Sequence, residues 1–361
     1  MAWTLAAVGD IMLDHPVGDS AAFTWLRQTE LAFGNLEVPL SVRGYPADKP
    51  ITFRAEPALA GQLAHMGLDV VSLANNHALD YGVPALLDTL AAVEEAGVAV
   101  IGAGETLDAA MRPRVLRAGT LAVGFLAFAC TLPAGSAATA QRPGVAPVRV
   151  KVSLLPDSAV FDEQPGTSPY VHTAAVEDDV EQAREAIAAA RALADMVVVS
   201  IHWGVPPGWA TPFQGLLADY QQPLAHALID AGADVVLGHH PHTLHGIETY
   251  QGKLICYSLG NFIFHSLAKR RPLVFQRDTP PYKLQHVRPP ELAESALFLF
   301  TRTARRWELE LLPCVIDERG EGHPIGGPPA AVILQRIAAH SAILGTEIRI
   351  EGTRGHLATS G

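Results

Sequence analysis

Several apolar, strand-like runs of this chain end directly on side chains that carry oxygen or nitrogen donors. In the clearest case, residues 233–237 lead into three closely spaced histidines, His239, His240 and His242. Parallel strands of an α/β sheet end along one edge, which is where open α/β folds carry their sites. Neutral imidazole is the most common protein ligand for transition metals, so the pattern favours a metal site over a histidine-rich surface loop.

Four further runs end in the same way, on Asp10, on Glu37, on Asn76 with His77, and on His202. Such a donor set suits divalent Mn, Fe or Zn without selecting among them. A carboxylate shared by two cations about 3.5–4 Å apart would hold a water or hydroxide between them, which is a nucleophile near neutral pH. His77, if it does not bind metal, could protonate the leaving group, and Asp80 could orient its ring.

Each of these side chains also has a purely structural interpretation. Asp10 could be a turn residue, Glu37 an exposed carboxylate, Asn76 a turn cap and His202 a hydrogen-bonded core residue. The recurrence of donors at five strand ends favours ligands. Of the three histidines at positions 239, 240 and 242, we expect two to be ligands and one to be a substrate or structural contact, and the residues alone leave that choice open.

The composition indicates a globular protein with a sizeable core. Hydrophobic residues make up 49% of the 361-residue chain, enough to fold without disulfide bonds. The formal net charge of −11 argues against broad binding of nucleic acid or anionic membranes. No apolar run approaches the roughly 18 residues of a membrane span, and a strand pattern begins where a secretory leader would lie. We therefore expect a cytoplasmic protein.

Strand-like and helical runs alternate along the chain, which predicts an α/β fold. The clearest helix covers residues 177–194, with acidic residues in its first turn and an apolar stripe at helical spacing. Because no linker or repeat is visible, we predict one domain over residues 1–350, followed by a mobile tail at 351–361. Three dispersed cysteines, each beside an apolar run, are predicted to be buried thiols.

Two segments lack a clear pattern. Residues 132–170 are rich in Pro, Gly, Ala and Ser, and residues 269–290 carry six basic side chains against one acidic one. Long loops in compact domains often bind ligands. We single out Arg270 and Arg271 as contacts for an anionic substrate. The alternative is a solvated loop or a contact within a homo-oligomer.

The donor residues and their neighbours resemble the CapA family of capsule and poly-γ-glutamate synthesis proteins, relatives of the calcineurin-like metallophosphoesterases. The resemblance covers residues 3–265, and its motifs occur in the family's order. The matching segments are Gly9-Asp10-Ile11-Met12-Leu13, Asn35-Leu36-Glu37, Ala74-Asn75-Asn76-His77-Ala78-Leu79-Asp80-Tyr81-Gly82, Ile201-His202-Trp203-Gly204, Gly238-His239-His240-Pro241-His242 and Tyr257-Ser258-Leu259-Gly260-Asn261-Phe262.

This resemblance implies a four-layer α/β/β/α sandwich of the metallophosphoesterase type with two divalent metal ions at the strand ends. It implies that Asp10 and His242 bind the first ion and that Glu37 bridges both. The second ion would be bound by Asn76, His202 and His240. His77 would be the acid or a substrate contact, assisted by Asp80, while His239 and Asn261 would contact substrate or lie beside the site.

The chain departs from the pattern of the superfamily at three places near the site. Relatives carry a histidine two residues after the first aspartate, where this chain has Met12, although His15 could reach the first metal. A Glu-Tyr pair of relatives is replaced by the segment 205–209, and His245 stands where relatives have glutamine. These changes border the expected site and affect substrate choice.

We therefore predict a metal-dependent hydrolase of the CapA type. A metal-bound water or hydroxide would attack either a phosphoester or a γ-glutamyl-type amide, in poly-γ-glutamate or capsule metabolism. The sequence does not decide between the two bonds. The alternative is a non-catalytic or substrate-binding component of a polymer-synthesis complex, which Met12 favours and the many donor residues oppose.

Overall fold

The computed structural model describes residues 3–49, 51–156, 158–164, 169–204, 217–268, 290–303 and 306–359. Arg270 and Arg271, predicted to contact substrate, lie outside the described residues, as does the segment 205–209.

The helices follow the apolar periodicity of the sequence. In the long helix after residue 176, three acidic residues occupy the first turn, and Val180, Ala183, Ile187 and Ala190 are buried along one face. The helices are α1 (Ala21–Gln28), α2 (Ala60–Met66), α3 (Gly82–Glu95), α4 (Leu107–Met111), α5 (Ser158–Glu163), α6 (Glu177–Leu193), α7 (Gln221–Asp230), α8 (His265–Ala268) and α9 (Gly327–Ile343). None of those in the described part of the chain has both the length and the apolar character needed to cross a bilayer.

Strands alternate with these helices in the first two thirds of the chain and dominate the last third, which confirms a mixed α/β fold. The strands are β1 (Trp3–Met12), β2 (Leu31–Leu36), β3 (Val70–Ser72), β4 (Ala99–Ile101), β5 (Ala103–Gly104), β6 (Arg114–Ala118), β7 (Leu121–Ala129), β8 (Gly144–Val145), β9 (Val150–Leu155), β10 (Tyr170–Ala175), β11 (Met196–His202), β12 (Val235–His239), β13 (Ile247–Tyr250), β14 (Lys253–Cys256), β15 (Asn261–Phe264), β16 (Glu294–Arg302), β17 (Trp307–Ile316), β18 (Gly322–Pro324), β19 (Arg349–Glu351) and β20 (Arg354–Ala358).

The larger sheet contains the first site strand. Its strand order is β19-β20-β17-β16-β1-β2-β3-β4, with β15 added to the end of β1 and β18 to β17. β1 through β4 are parallel, and β15 is parallel to β1, whereas β16 and β17 are antiparallel. The carboxyl ends of β1, β2, β3 and β15 therefore lie at one edge.

The second sheet has the order β13-β14-β12-β11-β7-β6, in which β7, β11, β12 and β14 are parallel. The four parallel strands are largely buried on both faces, as is typical of parallel sheets, whereas the antiparallel edge strand β6 is mostly exposed. Along β11, Val198 joins a core shared with the larger sheet. Its neighbours Val197 and Val199 pack in a second core with Ile187 of α6 and Leu224 of α7. One face thus meets the other sheet, and the opposite face meets helices.

The described part of the predicted tail, residues 351–359, contains a strand. β20, which covers residues 354–358, pairs with β17, and Leu357 lies opposite Leu309 and is buried. This strand alternates exposed and buried positions, and pairing with β17 satisfies its backbone and covers its apolar face. The unassigned segment 132–170 also contains regular structure, including the largely exposed strand β9, which pairs antiparallel with β10 at the end of the segment. The three cysteines are buried and free, as predicted.

Candidate metal centre

The carboxyl ends of the parallel strands in both sheets meet at one place. From the larger sheet, Asp10 lies near the end of β1 and Glu37 directly follows β2. From the second sheet, His202 ends β11 and stands opposite His239, the last residue of β12. Side chains from the two sheets are in direct contact here: the His202 Nε2 atom lies 2.8 Å from Oδ1 of Asn76, which is in the loop after β3.

The donor atoms form two overlapping groups. One atom each of Asp10, Glu37 and His242 lie within 4.8 Å of one another, and the same holds for Glu37, His202 and His240. Glu37 belongs to both groups. The structure brings these five predicted residues together, with Glu37 in the shared position, and their roles as metal ligands stay a prediction.

Glu37 is the least satisfied charge of the site. Its side chain is fully buried, and neither carboxylate oxygen has a hydrogen-bond partner among the described residues. The nearest imidazole nitrogens, on His202, His77 and His242, are 3.6 to 3.8 Å from Oε1. Burial raises its pKa well above the usual range, and the neighbouring Asp10 raises it further. A buried carboxylate in this state is costly unless a cation compensates it.

Asp10 is held by several donors. Its Oδ1 accepts from the Asn35 amide at 2.9 Å and from His239 Nδ1 at 3.1 Å, and Oδ2 lies 3.1 Å from His242 Nδ1. Burial opposes its ionisation, but the hydrogen bonds from His239 and His242 outweigh burial and hold its pKa well below the usual range. Asp10 is therefore an anion with a fixed orientation.

The imidazoles of His202 and His240 are neutral. Burial is the main cause that lowers the pKa of His202 well below its usual value, and lowers that of His240 to about 3. The ring centroids are 4.9 Å apart, and the His240 Nδ1 atom is buried without a partner among the described residues. Neutral imidazoles need lose no proton before they bind a metal.

His242 has the opposite charge state. Burial disfavours its charged form, but Glu37 and Asp10 outweigh burial and raise its pKa to about 9. Asn261 fixes the ring: its Oδ1 lies 2.9 Å from His242 Nδ1, and its amide donates to the His242 carbonyl at 3.1 Å. Both His240 and His242 have positive φ angles, 96° and 59°. Such strain in non-glycine residues concentrates at functional sites.

His77 lies in a separate hydrogen-bonded group at the rim of the centre. Its Nδ1 donates to Asp80 Oδ2 at 2.7 Å, and its Nε2 faces Glu37. Lys49 contributes a cation that the sequence analysis missed: its ammonium pairs with Asp80 and donates to the Asn76 carbonyl at 2.6 Å. Burial lowers the pKa of His77, although the Asp80 hydrogen bond opposes the change. The ring also packs against Phe53, with centroids 4.3 Å apart.

The missed residues differ in how far the sequence could have revealed them. Asn35 is two residues before Glu37, and strand alternation places both on one face, so the period of β2 was a usable signal. Lys49 is in an irregular loop and reaches residues 27 to 31 positions away, which no local pattern reveals. His15 does not fill the place left by Met12. Its ring instead stacks on the ring of His265, with the two centroids 3.6 Å apart.

The centre fits divalent cations by its donor chemistry. Carboxylate oxygens, an amide oxygen and neutral imidazoles are gathered in a buried space, and Glu37 lacks any other compensating partner in the described part of the chain. These donors are compatible with Mn, Fe or Zn and do not select among them.

A family model and several known proteins match most of this chain. A family model described as "Bacterial capsule synthesis protein PGA_cap" matches residues 4–266. The "Capsule biosynthesis protein CapA" of Bacillus anthracis is 31% identical over 276 residues, or 72% of this chain and 59% of that protein. The "PGA biosynthesis protein CapA" of Bacillus subtilis (strain 168) is 32% identical over 271 residues, 71% of this chain and 62% of that protein.

A third relative carries a different name. The "Probable polyglutamine synthesis accessory protein" of Mycobacterium tuberculosis (strain CDC 1551 / Oshkosh) is 36% identical over 253 residues, 69% of this chain and 59% of that protein. The chain thus spans about three fifths of the length of the relatives it matches. The family match covers the segments that carry Asp10, Glu37, Asn76, His202, His240 and His242, and it extends over most of the chain: the protein belongs to the bacterial capsule synthesis family PGA_cap, which includes CapA.

Proposed function

We propose that this protein is a metal-dependent hydrolase of the CapA type that acts in poly-γ-glutamate or capsule metabolism. The observation that carries the proposal is Glu37, a buried carboxylate without a hydrogen-bond partner among the described residues that belongs to both donor groups. A purely structural carboxylate in that position would cost stability with no compensation. A carboxylate shared by two cations would be compensated twice.

The proposed ligands follow from the donor groups. Asp10, Glu37 and His242 would hold one cation, and Glu37, His202, His240 and the Asn76 amide oxygen would hold another. Divalent Mn, Fe and Zn all accept these donors. Such ions, when bound, act as Lewis acids and make water a nucleophile near neutral pH.

The protein side chains would supply proton transfer and orientation. His77 holds its Nδ1 proton against Asp80, which leaves Nε2 facing the centre to accept a proton or return it to a leaving group. Lys49 holds Asp80 in place. His239 and Asn261 are fully buried behind Asp10 and His242, so we assign them to orienting those ligands rather than to contacting substrate.

The substrate would be anionic, either a phosphoester or a γ-glutamyl-type amide. The names of the CapA relatives, which refer to capsule and PGA biosynthesis, favour the amide. Contacts from Arg270 and Arg271 stay a prediction. The supporting fold would be the four-layer α/β/β/α sandwich, because the second sheet packs one face on the larger sheet and the other on α6 and α7.

A non-catalytic role within a polymer-synthesis complex is the second candidate. Met12 favours it, because a buried thioether replaces the histidine that metallophosphoesterases carry there. A relative's printed name, accessory protein, agrees with it. The accumulation of neutral imidazoles and unpartnered carboxylate oxygens around Glu37 favours catalysis over this role.

Metal content per chain tests the proposal first. We expect elemental analysis of the protein reconstituted with Mn, Fe or Zn to show metal that is reduced in Asp10→Ala and in Glu37→Gln. Glu37→Gln should lose more, because Glu37 belongs to both donor groups. A panel of phosphoesters and γ-glutamyl peptides then identifies the bond cleaved. Unchanged metal content in both variants would contradict a metal centre at Asp10 and Glu37. Bound metal without turnover of either substrate class would favour the non-catalytic role.

A further inference from the structure

Lys49 lies at the rim of the candidate metal centre and makes more contacts than charge compensation requires. Its side chain is 17% exposed, and its ammonium group pairs with the fully buried Asp80. The same ammonium donates to the Asn76 carbonyl at 2.6 Å. Asp80 does not depend on Lys49 alone, because its Oδ2 atom also accepts from the Phe53 amide at 2.6 Å and from His77 Nδ1 at 2.7 Å. The bond to the Asn76 carbonyl therefore indicates a second role.

The backbone on both sides of Lys49 is tied to the turn after β3. The Ala47 amide donates to the Asp80 carbonyl at 2.7 Å, and the Phe53 amide donates to the Asp80 carboxylate. These bonds fix the place from which the Lys49 side chain extends. An ammonium group has three N–H donors and can bond acceptors that lie in different directions. Lys49 thus joins the side chain of Asp80 to the backbone of Asn76.

The turn after β3 holds Asn76 between two anchors. On the side of β2, the Asn75 side chain donates to the Leu36 carbonyl at 2.8 Å and accepts from the His77 amide at 3.0 Å. On the other side, Lys49 donates to the carbonyl of Asn76 itself. Asn76 lies in a turn, outside any helix or strand, so its orientation depends on such side-chain bonds rather than on a regular backbone ladder.

The Asn76 side chain extends from this turn toward the second sheet. Its Oδ1 atom lies 2.8 Å from His202 Nε2 and is the amide oxygen that we assign to the same ion as Glu37, His202 and His240. An amide oxygen brings no charge to a cation, so its contribution to affinity depends on its being held in place before the cation arrives.

We propose that Lys49 is a positioning residue for this ion. Through the Asn76 carbonyl it holds the Asn76 backbone, and with it the amide oxygen, next to His202. The inference rests on the proposed function only in taking the Glu37 centre to bind metal.

Manganese binding in two single-site backgrounds tests this role. Asp10→Ala removes a ligand of the first donor group and leaves the ion beside Asn76, whereas His240→Ala leaves the ion held by Asp10 and His242. In the Asp10→Ala background, we expect Lys49→Met to weaken Mn²⁺ binding by about 10–100-fold, the usual cost of losing an outer partner of a ligand. In the His240→Ala background, the same change should not weaken binding.

The direction of the change distinguishes positioning from charge. Removing a positive charge near a metal centre favours binding of a cation. If Lys49 acted only through its charge, Lys49→Met would therefore bind Mn²⁺ more tightly in both backgrounds. Weaker binding beside Asn76 alone is expected only if Lys49 orients a ligand. Lys49→Arg keeps a charged donor and should recover part of the lost affinity.

Lys253→Met is the matched control for a general loss of stability. Lys253 pairs with the buried Asp234, and its side chain is 29% exposed. Asp234 directly precedes β12, at the end of that strand opposite to His239. This variant should bind Mn²⁺ like its background even if its unfolding midpoint falls. In the otherwise wild-type chain, Lys49→Met should weaken one of two Mn²⁺ equivalents, which keeps the test valid if a single-site background does not fold.

Three outcomes would overturn the role of Lys49. Unchanged or tighter Mn²⁺ binding by Lys49→Met in the Asp10→Ala background would contradict it, and so would an equal loss in both backgrounds. In these two cases the metal centre itself would stand, because the parent proteins bind Mn²⁺. A wild-type protein that binds no Mn²⁺ would overturn the proposed centre and the role of Lys49 together.

Discussion

Single residues at the candidate centre carry charges that the fold has removed from water. Glu37 is the extreme case, since its oxygens have no partner in the part of the chain that the structure describes. Asp80 is equally buried, but it is compensated by Lys49, by His77 and by the Phe53 amide at 2.6 Å. Asp80 is therefore satisfied by the protein alone, whereas Glu37 is left without a compensating partner among the described residues.

The Lys49–Asp80 pair gives a prediction at this scale. Lys49→Met removes the cation but keeps the buried Asp80, so we expect the free energy of unfolding to fall by about 3–5 kcal/mol. Lys49→Arg keeps the charge and serves as the matched control. Denaturant unfolding of Lys49→Met, Asp80→Asn and the double variant measures the coupling. Strictly additive effects of the two single changes would contradict a direct pair.

Among the elements, β12 is held to its neighbours by a close backbone approach directly beside the site. This strand ends on His239. The preceding residue, Gly238, packs against the segment around Tyr257. A Cβ atom at Gly238 would come within 2.2 Å of the Tyr257 carbonyl oxygen and 2.6 Å of Trp203 Nε1. The Trp203 indole also donates to that same carbonyl at 2.8 Å. The close approach holds the strand ends that carry His202 and His239 together.

Gly238→Ala tests this role of β12. Because the added methyl group meets backbone, we expect unfolding free energy to fall by about 1–3 kcal/mol and metal affinity to fall with it. Gly61→Ala, in α2, is the control: no atom lies within 4 Å of the added Cβ, and the change should stabilise the protein by up to about 1 kcal/mol. Chemical denaturation and metal titration measure both. Wild-type stability of the Gly238→Ala protein would mean that the strand end can shift to accommodate the methyl group, and would contradict the role assigned to Gly238.

For the whole molecule, the centre links stability to pH and to metal. In the metal-free protein, His242 and Glu37 both have raised pKa values. A group whose pKa is raised in the folded state stabilises the fold at pH values below its pKa in the unfolded state. This contribution is lost as the pH rises through its pKa in the folded state. For His242 that window runs from the ordinary value of 6.5 to about 9.

We therefore expect the free energy of unfolding of the metal-free protein to fall between about pH 6 and pH 9.5. In the His242→Asn variant this free energy should fall less over the same range. A bound cation needs a neutral His242, so binding should release protons near neutral pH, and affinity should rise with pH up to about 9. Unfolding curves with and without metal, and calorimetry in buffers of different ionisation enthalpy, measure these effects. Proton release that does not differ between wild type and His242→Asn would contradict the assigned charge state.

The strand-end donors could be predicted because the information is local. Apolar runs with period two or full burial identify strands, and parallel strands place their ends at one edge. The runs that lead into Asp10 and His202 lie within observed strands, and the run at residues 233–237 overlaps β12 from Val235 onward. The roles of individual ligands, the cytoplasmic location, the single domain and the homo-oligomer stay predictions.

Other features depended on contacts between segments far apart in the chain. Lys49 reaches Asp80 from an irregular loop, β15 brings His265 beside Asp14, and β20 completes the sheet next to β17. The sequence by itself determined which residues could bind a cation and that they would meet at a sheet edge. Only the tertiary structure decided which buried charges are already paired and which lack a partner, because pairing depends on distances between side chains that local periodicity does not encode.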